Sequence, residues 1–155
     1  MANHILGGGS FSSRLFTEVR EKRGLAYSVY SYLSPYDHAG MFLGGVATRN
    51  DRAGQSIDLI QAEIRRMATE GPTPKELDGA RKYLIGSYAL RFDTSTKIAN
   101  QLVHLQLDEL GIDYVARRND LVDVPEGELL DALSRLQGLL SDAPAVPGGP
   151  DLAAL

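Results

Sequence analysis

Arg20 and Tyr27 stand seven positions apart, the first near the end of a predicted helix and the second on the strand expected to follow it. Arginine presents a rigid fork of donors, and tyrosine a single phenolic hydroxyl. Brought together on one carbonyl oxygen, the two would stabilise negative charge building there during acyl chemistry. A plainer reading stands beside it: Arg20 as a surface arginine, and Tyr27 packed with Leu25 and Val29 on one strand face. On residue types and spacing alone, the plainer reading is favoured.

Other chemistry finds less support. The histidines are His4, His38 and His104. None has a second histidine three or four positions away, so H-E-x-x-H and H-x-x-E-H are both absent. His104 and Asp108 form one i, i+4 pair, which reads better as a partly buried helix histidine than as a metal site. His38 reads as a solvated turn residue. No metal-ligand set is expected in this chain. Cysteine is absent, which excludes disulfides, thiolate ligands and a cysteine nucleophile. There is no G-x-S-x-G elbow. Gly7-Gly8-Gly9 lacks the G-K-[ST] of a phosphate loop and reads as a tight turn that lets a helix pack closely.

The elements that must position Arg20 and Tyr27 follow from the pattern. Residues 2–6 suit the last turn of a helix, with the glycines ending it through positive φ. Ser12 or Ser13 caps the next helix, whose stripe is Leu15, Phe16 and Val19, and Gly24 stops it. Leu25 to Leu33 alternates as a strand, with Leu25, Tyr27, Val29 and Leu33 on one face and Ala26, Ser28, Tyr30 and Tyr32 on the other. A turn over 34–39 leads to a second strand, Gly40 to Thr48, giving an antiparallel hairpin.

Helices fill the remainder. Ile57, Ile60, Ile64 and Met67 repeat at helical spacing, with Glu63, Arg65 and Arg66 turned outward, and Gly71-Pro72 ends that helix. Thr73-Pro74-Lys75-Glu76 is a capping box with proline at the first position, opening a helix to about Arg91. Asp93 or Thr94 starts another, with Ile98, Leu102 and Leu105 on one face. Shorter helices are expected over Tyr114 to Asp120 and Glu126 to Leu140. Strands followed by helices indicate an α+β fold. Two strands make a poor sheet, so residues 1–142 read as one α+β domain whose first strands are missing, and 143–155 as a Pro/Gly-rich tail.

With 155 residues, 43% of them hydrophobic and 23% charged, the chain suits one domain with a real core. The net charge of −4 argues against nucleic acid, whose binders carry a basic face. The clearest basic cluster is Arg20, Lys22 and Arg23. No apolar run approaches the length of a membrane span, and MANHILGGGS is no signal peptide. These features leave the compartment open.

Taken together, LGGGSFSSRLFTEVREKRGLAYSVYS, T-P-x-E-L and Y-L-x-G-S-Y resemble the C-terminal-type, non-zinc-binding domain of the pitrilysin and insulinase zinc metallopeptidases, in the processing-peptidase branch. The resemblance runs from about Asn3 to Leu140. It implies a mostly antiparallel sheet with helices packed on one face, and two such domains clasping a peptide in a closed chamber. One domain carries H-x-x-E-H and zinc; the other supplies an arginine and a tyrosine at the spacing of Arg20 and Tyr27. By that resemblance both would face the substrate carbonyl, with Leu25, Ala26 and Ser28 on the strand that binds the peptide.

The resemblance therefore implies an accessory half of a zinc metalloendopeptidase, with zinc held by a partner domain or subunit and the assembly a homo- or hetero-oligomer. The alternative is a non-catalytic assembly or peptide-binding module of the same fold. Metal analysis of the purified chain should find no stoichiometric zinc.

Overall fold

A computed structural model of the chain describes residues 1–36 and 38–123. Asp37, the helix expected over Glu126 to Leu140 and the tail at 143–155 lie outside the described residues, and His38 is an exposed turn residue, as expected.

Ser13 starts the helix that carries Arg20. Its hydroxyl accepts from the Phe16 N–H at 3.4 Å, as an N-cap does. Leu15, Phe16 and Val19 form its buried stripe. The helix loosens into wide turns over Phe16–Glu21. Gly24 ends it with φ +58°, a conformation in which glycine has no side-chain penalty. The Gly24 and Leu25 N–H groups donate to Arg20 and Val19 carbonyls, each at 2.9 Å.

The glycine triplet works differently from the expectation. Gly7 and Gly8 lie inside a short wide helix, His4–Gly8, and Gly9 has φ −86°, so none takes the left-handed conformation. Close approach requires them instead. A Cβ on Gly7 would lie 2.7 Å from the Ser31 backbone nitrogen, and one on Gly9 2.6 Å from the His4 carbonyl.

The hairpin consists of β1, Ala26–Tyr36, and β2, Ala39–Thr48, paired antiparallel. Both strands are longer than expected. These two form the whole sheet among the described residues. One irregularity breaks the ladder. Ala26 pairs with Thr48 and Ser28 with Ala47, so Tyr27 is the extra residue of a β-bulge. The bulge shifts the pleat by one position. Ala26, Val29 and Ser31 are buried, while Tyr27, Tyr30, Tyr32 and Leu33 are exposed. The expected grouping of Tyr27 and Leu33 with Leu25 and Val29 is therefore corrected, as is that of Ala26 with the outward tyrosines.

Among the described residues four α-helices follow: α1 (Ala53–Glu70), α2 (Pro74–Gly86), α3 (Ser95–Leu107) and α4 (Tyr114–Val122). Gly71 ends α1 with φ +70°. The box at Thr73 and Glu76 caps α2 in both directions, and the Thr94 hydroxyl accepts from the Lys97 N–H at the start of α3. The helix from Thr73 stops at Gly86 rather than Arg91 and continues as a 3₁₀ turn over Tyr88–Phe92.

The core gathers Leu15, Val19, Leu25, Val29, Met67 and Leu77. It places the His4–Gly8 segment, the Phe16–Glu21 helix and α1 against the hairpin, and α2 against the His4–Gly8 segment. Two orientations differ from the pattern. Glu63 is buried and Ile57 exposed, so α1 is rotated from its apolar stripe, and the Glu63 carboxylate pairs within the same helix with Arg66 at 3.1 Å. On α3, Leu105 is buried, but Ile98 and Leu102 are exposed.

One long-range contact ties these pieces together. Arg14 is 7% exposed. It grips Glu76 with Nε–Oε1 at 2.6 Å and Nη2–Oε2 at 2.7 Å, and Nη2 also donates to the Gly71 carbonyl at 2.8 Å. The hydrogen bond from Arg14 leads the causes that hold the Glu76 carboxyl down to about 2, from an ordinary 4.5. Burial pushes Glu63 the opposite way, above its ordinary value.

The two carboxylates therefore carry opposite pH signatures. Glu76 contributes fully above pH 4.5, and its contribution fades as pH falls from there toward 2. In urea titrations Glu76→Ala should cost about 3 kcal/mol at pH 7, because it strands a buried guanidinium, and clearly less at pH 3. Glu63 favours the folded state below its unfolded carboxyl range and loses that contribution as pH rises. Glu63→Gln should raise the melting temperature at pH 7 and leave it unchanged near pH 4.

Candidate functional site

The end of the first long helix and the start of β1 bring Arg20 and Tyr27 together at the surface. The Arg20 guanidinium carbon lies 5.4 Å from the centre of the Tyr27 ring and 4.8 Å from that of Phe16. Both are cation–π distances. Phe16 is buried and forms a fixed floor beneath the guanidinium. Tyr27 is 80% exposed. The bulge explains that value: it takes Tyr27 out of the pleat that buries its neighbours, and bulges re-aim side chains in this way.

Charge is distributed unevenly around the pair. Glu18 binds Lys22 at 2.6 Å and Arg23 at 2.6 Å, and these two cations hold its carboxyl below the ordinary range. One carboxylate thereby engages two members of the basic cluster, and the trio keeps one net positive charge. Arg20 has no carboxylate partner among the described residues and rests on aromatic faces alone. Its donors are left for an acceptor from outside.

The other expected site residues are placed less openly. The Leu25 and Ala26 side chains are buried, and Ser28 is half-buried. The Leu25 N–H donates to the Val19 carbonyl at 2.9 Å, and its carbonyl accepts from the Thr48 hydroxyl at 2.6 Å. Both backbone groups of Leu25 are thus engaged within the fold. Among the described residues, no three His, Asp or Glu side chains group so as to hold a metal ion. His104 is exposed rather than partly buried. No described helix is long and apolar enough to cross a membrane.

Sequence reasoning missed the role of Arg14. Its partner lies 62 positions away, and no local periodicity reports such a contact. The available signal was chemical: an arginine one residue before the apolar stripe of an otherwise buried helix needs an anion. It also missed Phe16 as the floor of the site, having placed that ring only in the core.

The family profile described as "Peptidase M16 inactive domain" matches residues 1–84. The chain belongs to this family. An uncharacterised zinc protease of Bacillus subtilis, YmxG, is 40% identical over 116 residues, covering 70% of this chain and 28% of that protein. A "non-peptidase homolog YmxG" of Helicobacter pylori is 37% identical over 97 residues, covering 62% and 22%. Among solved structures, an M16 inactive domain from Pseudomonas fluorescens superimposes with a TM-score of 0.77 at 33% identity, over 86% of this chain and 32% of that one. This M16 inactive-domain chain thus spans under a third of the length of these relatives, and its α+β fold is that of the family.

The exposed pair should contribute little to stability. Tyr27→Ala and Arg20→Ala should each change the unfolding free energy by less than about 1 kcal/mol. Val29→Ala, a core truncation, should cost more in the same thermal melts. A loss at Tyr27 as large as that at Val29 would make the tyrosine a structural residue.

Proposed function

We propose that this chain serves as the accessory half of a zinc metallopeptidase, binding peptide and steadying the reacting carbonyl while another domain or subunit holds the zinc. The observation that carries the reading is the joint placement of Arg20 and Tyr27: an arginine without a carboxylate partner beside a tyrosine lifted out of its sheet.

Zinc, where a partner holds it, supplies Lewis-acid chemistry at the scissile bond. Among the described residues no metal-holding group forms, and this chain's part is binding and charge stabilisation. The Arg20 fork and the Tyr27 hydroxyl donate to the carbonyl oxygen as negative charge grows on it. Phe16 limits the motion of the guanidinium, so less ordering is needed when substrate arrives. An extended peptide runs along the start of β1 past Ala26 and Ser28, using main-chain hydrogen bonds. Leu25 contributes by fixing the strand's direction, since its own backbone groups are occupied.

With a zinc-bearing partner present, Tyr27→Phe should lower kcat about 10- to 100-fold and leave KM within about twofold. An unchanged kcat would favour the second reading, a non-catalytic assembly or peptide-binding module. The name of the Helicobacter pylori relative, a non-peptidase homolog, is the observation behind that alternative. A partner carrying H-x-x-E-H supports the enzyme reading, and a partner without it supports the module.

A further inference from the structure

A second concavity lies away from Arg20 and Tyr27. It is a cavity of about 660 Å³ between the glycine segment, the end of α2, the 3₁₀ turn that follows and α3. Its cationic lining residues are Arg91 and Lys97, with the imidazoles of His4 and His104 beside them, and among the described residues no acidic side chain lines it. In a chain with 20 acidic and 16 basic residues, that local balance is the reverse of the whole.

The lining is also built rather than incidental. His4 stacks on Tyr83 with ring centroids 5.0 Å apart, and burial lowers its pKa, so its imidazole stays neutral near pH 7. Gly9 allows this packing, since a Cβ there would lie 3.1 Å from the His4 ring. Ser10 takes φ +49°, one of two non-glycine residues with positive φ among the described residues. Such strain costs on the order of 1–3 kcal/mol and gathers at ligand sites. Lys97 is shared, with Nζ 2.8 Å from Asp93 and 3.3 Å from the Leu90 carbonyl. Arg91 has no carboxylate partner among the described residues and is the free cation of the cavity.

We propose that this cavity binds the C-terminal carboxylate of a peptide. The Arg91 guanidinium meets the carboxylate, supported by Lys97. Leu84 and Leu90 form an apolar wall for the last side chain, and Asn100 offers both a donor and an acceptor to the peptide backbone. A bare inorganic anion would use the cations but not the apolar wall, so a peptide end accounts for more of the lining. The inference rests on the peptide-binding reading above and adds to it a subsite for the peptide's end.

The test is a titration of the whole chain, followed by amide chemical shifts, with acetyl-Ala-Ala-Phe as free acid and as C-terminal amide. The acid should shift resonances of Ser10, Arg91 and Asn100 and bind about tenfold more tightly than the amide. Arg91→Ala should weaken the acid about tenfold, Arg91→Lys should recover part of that loss, and Lys75→Ala should leave binding unchanged. Equal binding of acid and amide, or no shift at millimolar peptide, would overturn the proposal. So would displacement of the peptide by inorganic phosphate at equal concentration, which would mark a plain anion site. The assay needs no zinc-bearing partner. Its failure therefore leaves the roles of Arg20 and Tyr27 standing, and an unchanged turnover in Tyr27→Phe leaves this cavity standing.

Discussion

The bidentate grip of Arg14 on Glu76 is the contact on which the rest of the molecule depends. Glu76 is at once the third residue of α2, the returning half of the Thr73 capping box and the counter-ion of a buried guanidinium. Arg14 also takes the Gly71 carbonyl at the end of α1. Two buried nitrogens of one side chain thus fix the close of one helix, the start of the next and the helix that leads to Arg20. A charged pair of this kind adds little net stability against an apolar replacement, but its geometry admits only one arrangement of the three segments. One nitrogen, Arg14 Nη1, stays without a hydrogen bond among the described residues, so the arrangement is not perfectly satisfied.

That scaffold determines how charge and shape reach the surface. The helix held by Arg14 buries Leu15 and Val19 and delivers Phe16 and Arg20 to one end. Gly24 then reverses the chain, and the bulge at Tyr27 turns a residue of strand type into an exposed one. Glu18 absorbs Lys22 and Arg23 nearby. The combined result is a single cation resting on two aromatic rings at the surface, an arrangement suited to an acceptor that arrives from outside. The second cavity repeats the pattern: Lys97 is engaged by Asp93, and Arg91 has no carboxylate partner among the described residues.

Local signals were legible wherever the physics is local. The Thr73–Glu76 box, Thr94 before α3, Gly24 and Gly71 at helix ends, and the stripe of Leu15, Phe16 and Val19 all follow from backbone needs within a turn or two. Legibility failed where a second segment decided the outcome. The glycine triplet reads as a left-handed helix stop, yet its need is space against Ser31 and His4. Alternation placed Tyr27 beside Leu25 and Val29, and a single extra residue against β2 reversed that phase. Apolar spacing put Ile57 inside and Glu63 outside, and the packing of α1 did the reverse.

Sequence by itself therefore determined the capped helix starts, the hairpin, the α+β class and the spacing of an arginine and a tyrosine seven positions on, because each is set by neighbours in the chain. Tertiary structure alone decided that Tyr27 faces solvent, that Arg20 keeps its charge unpaired, and that Arg14 and Glu76 meet across 62 positions. The reason is one of range: capping and turn energies act over a few residues, whereas burial, strand register and the pairing of buried charges are settled by whichever distant surface arrives to cover them.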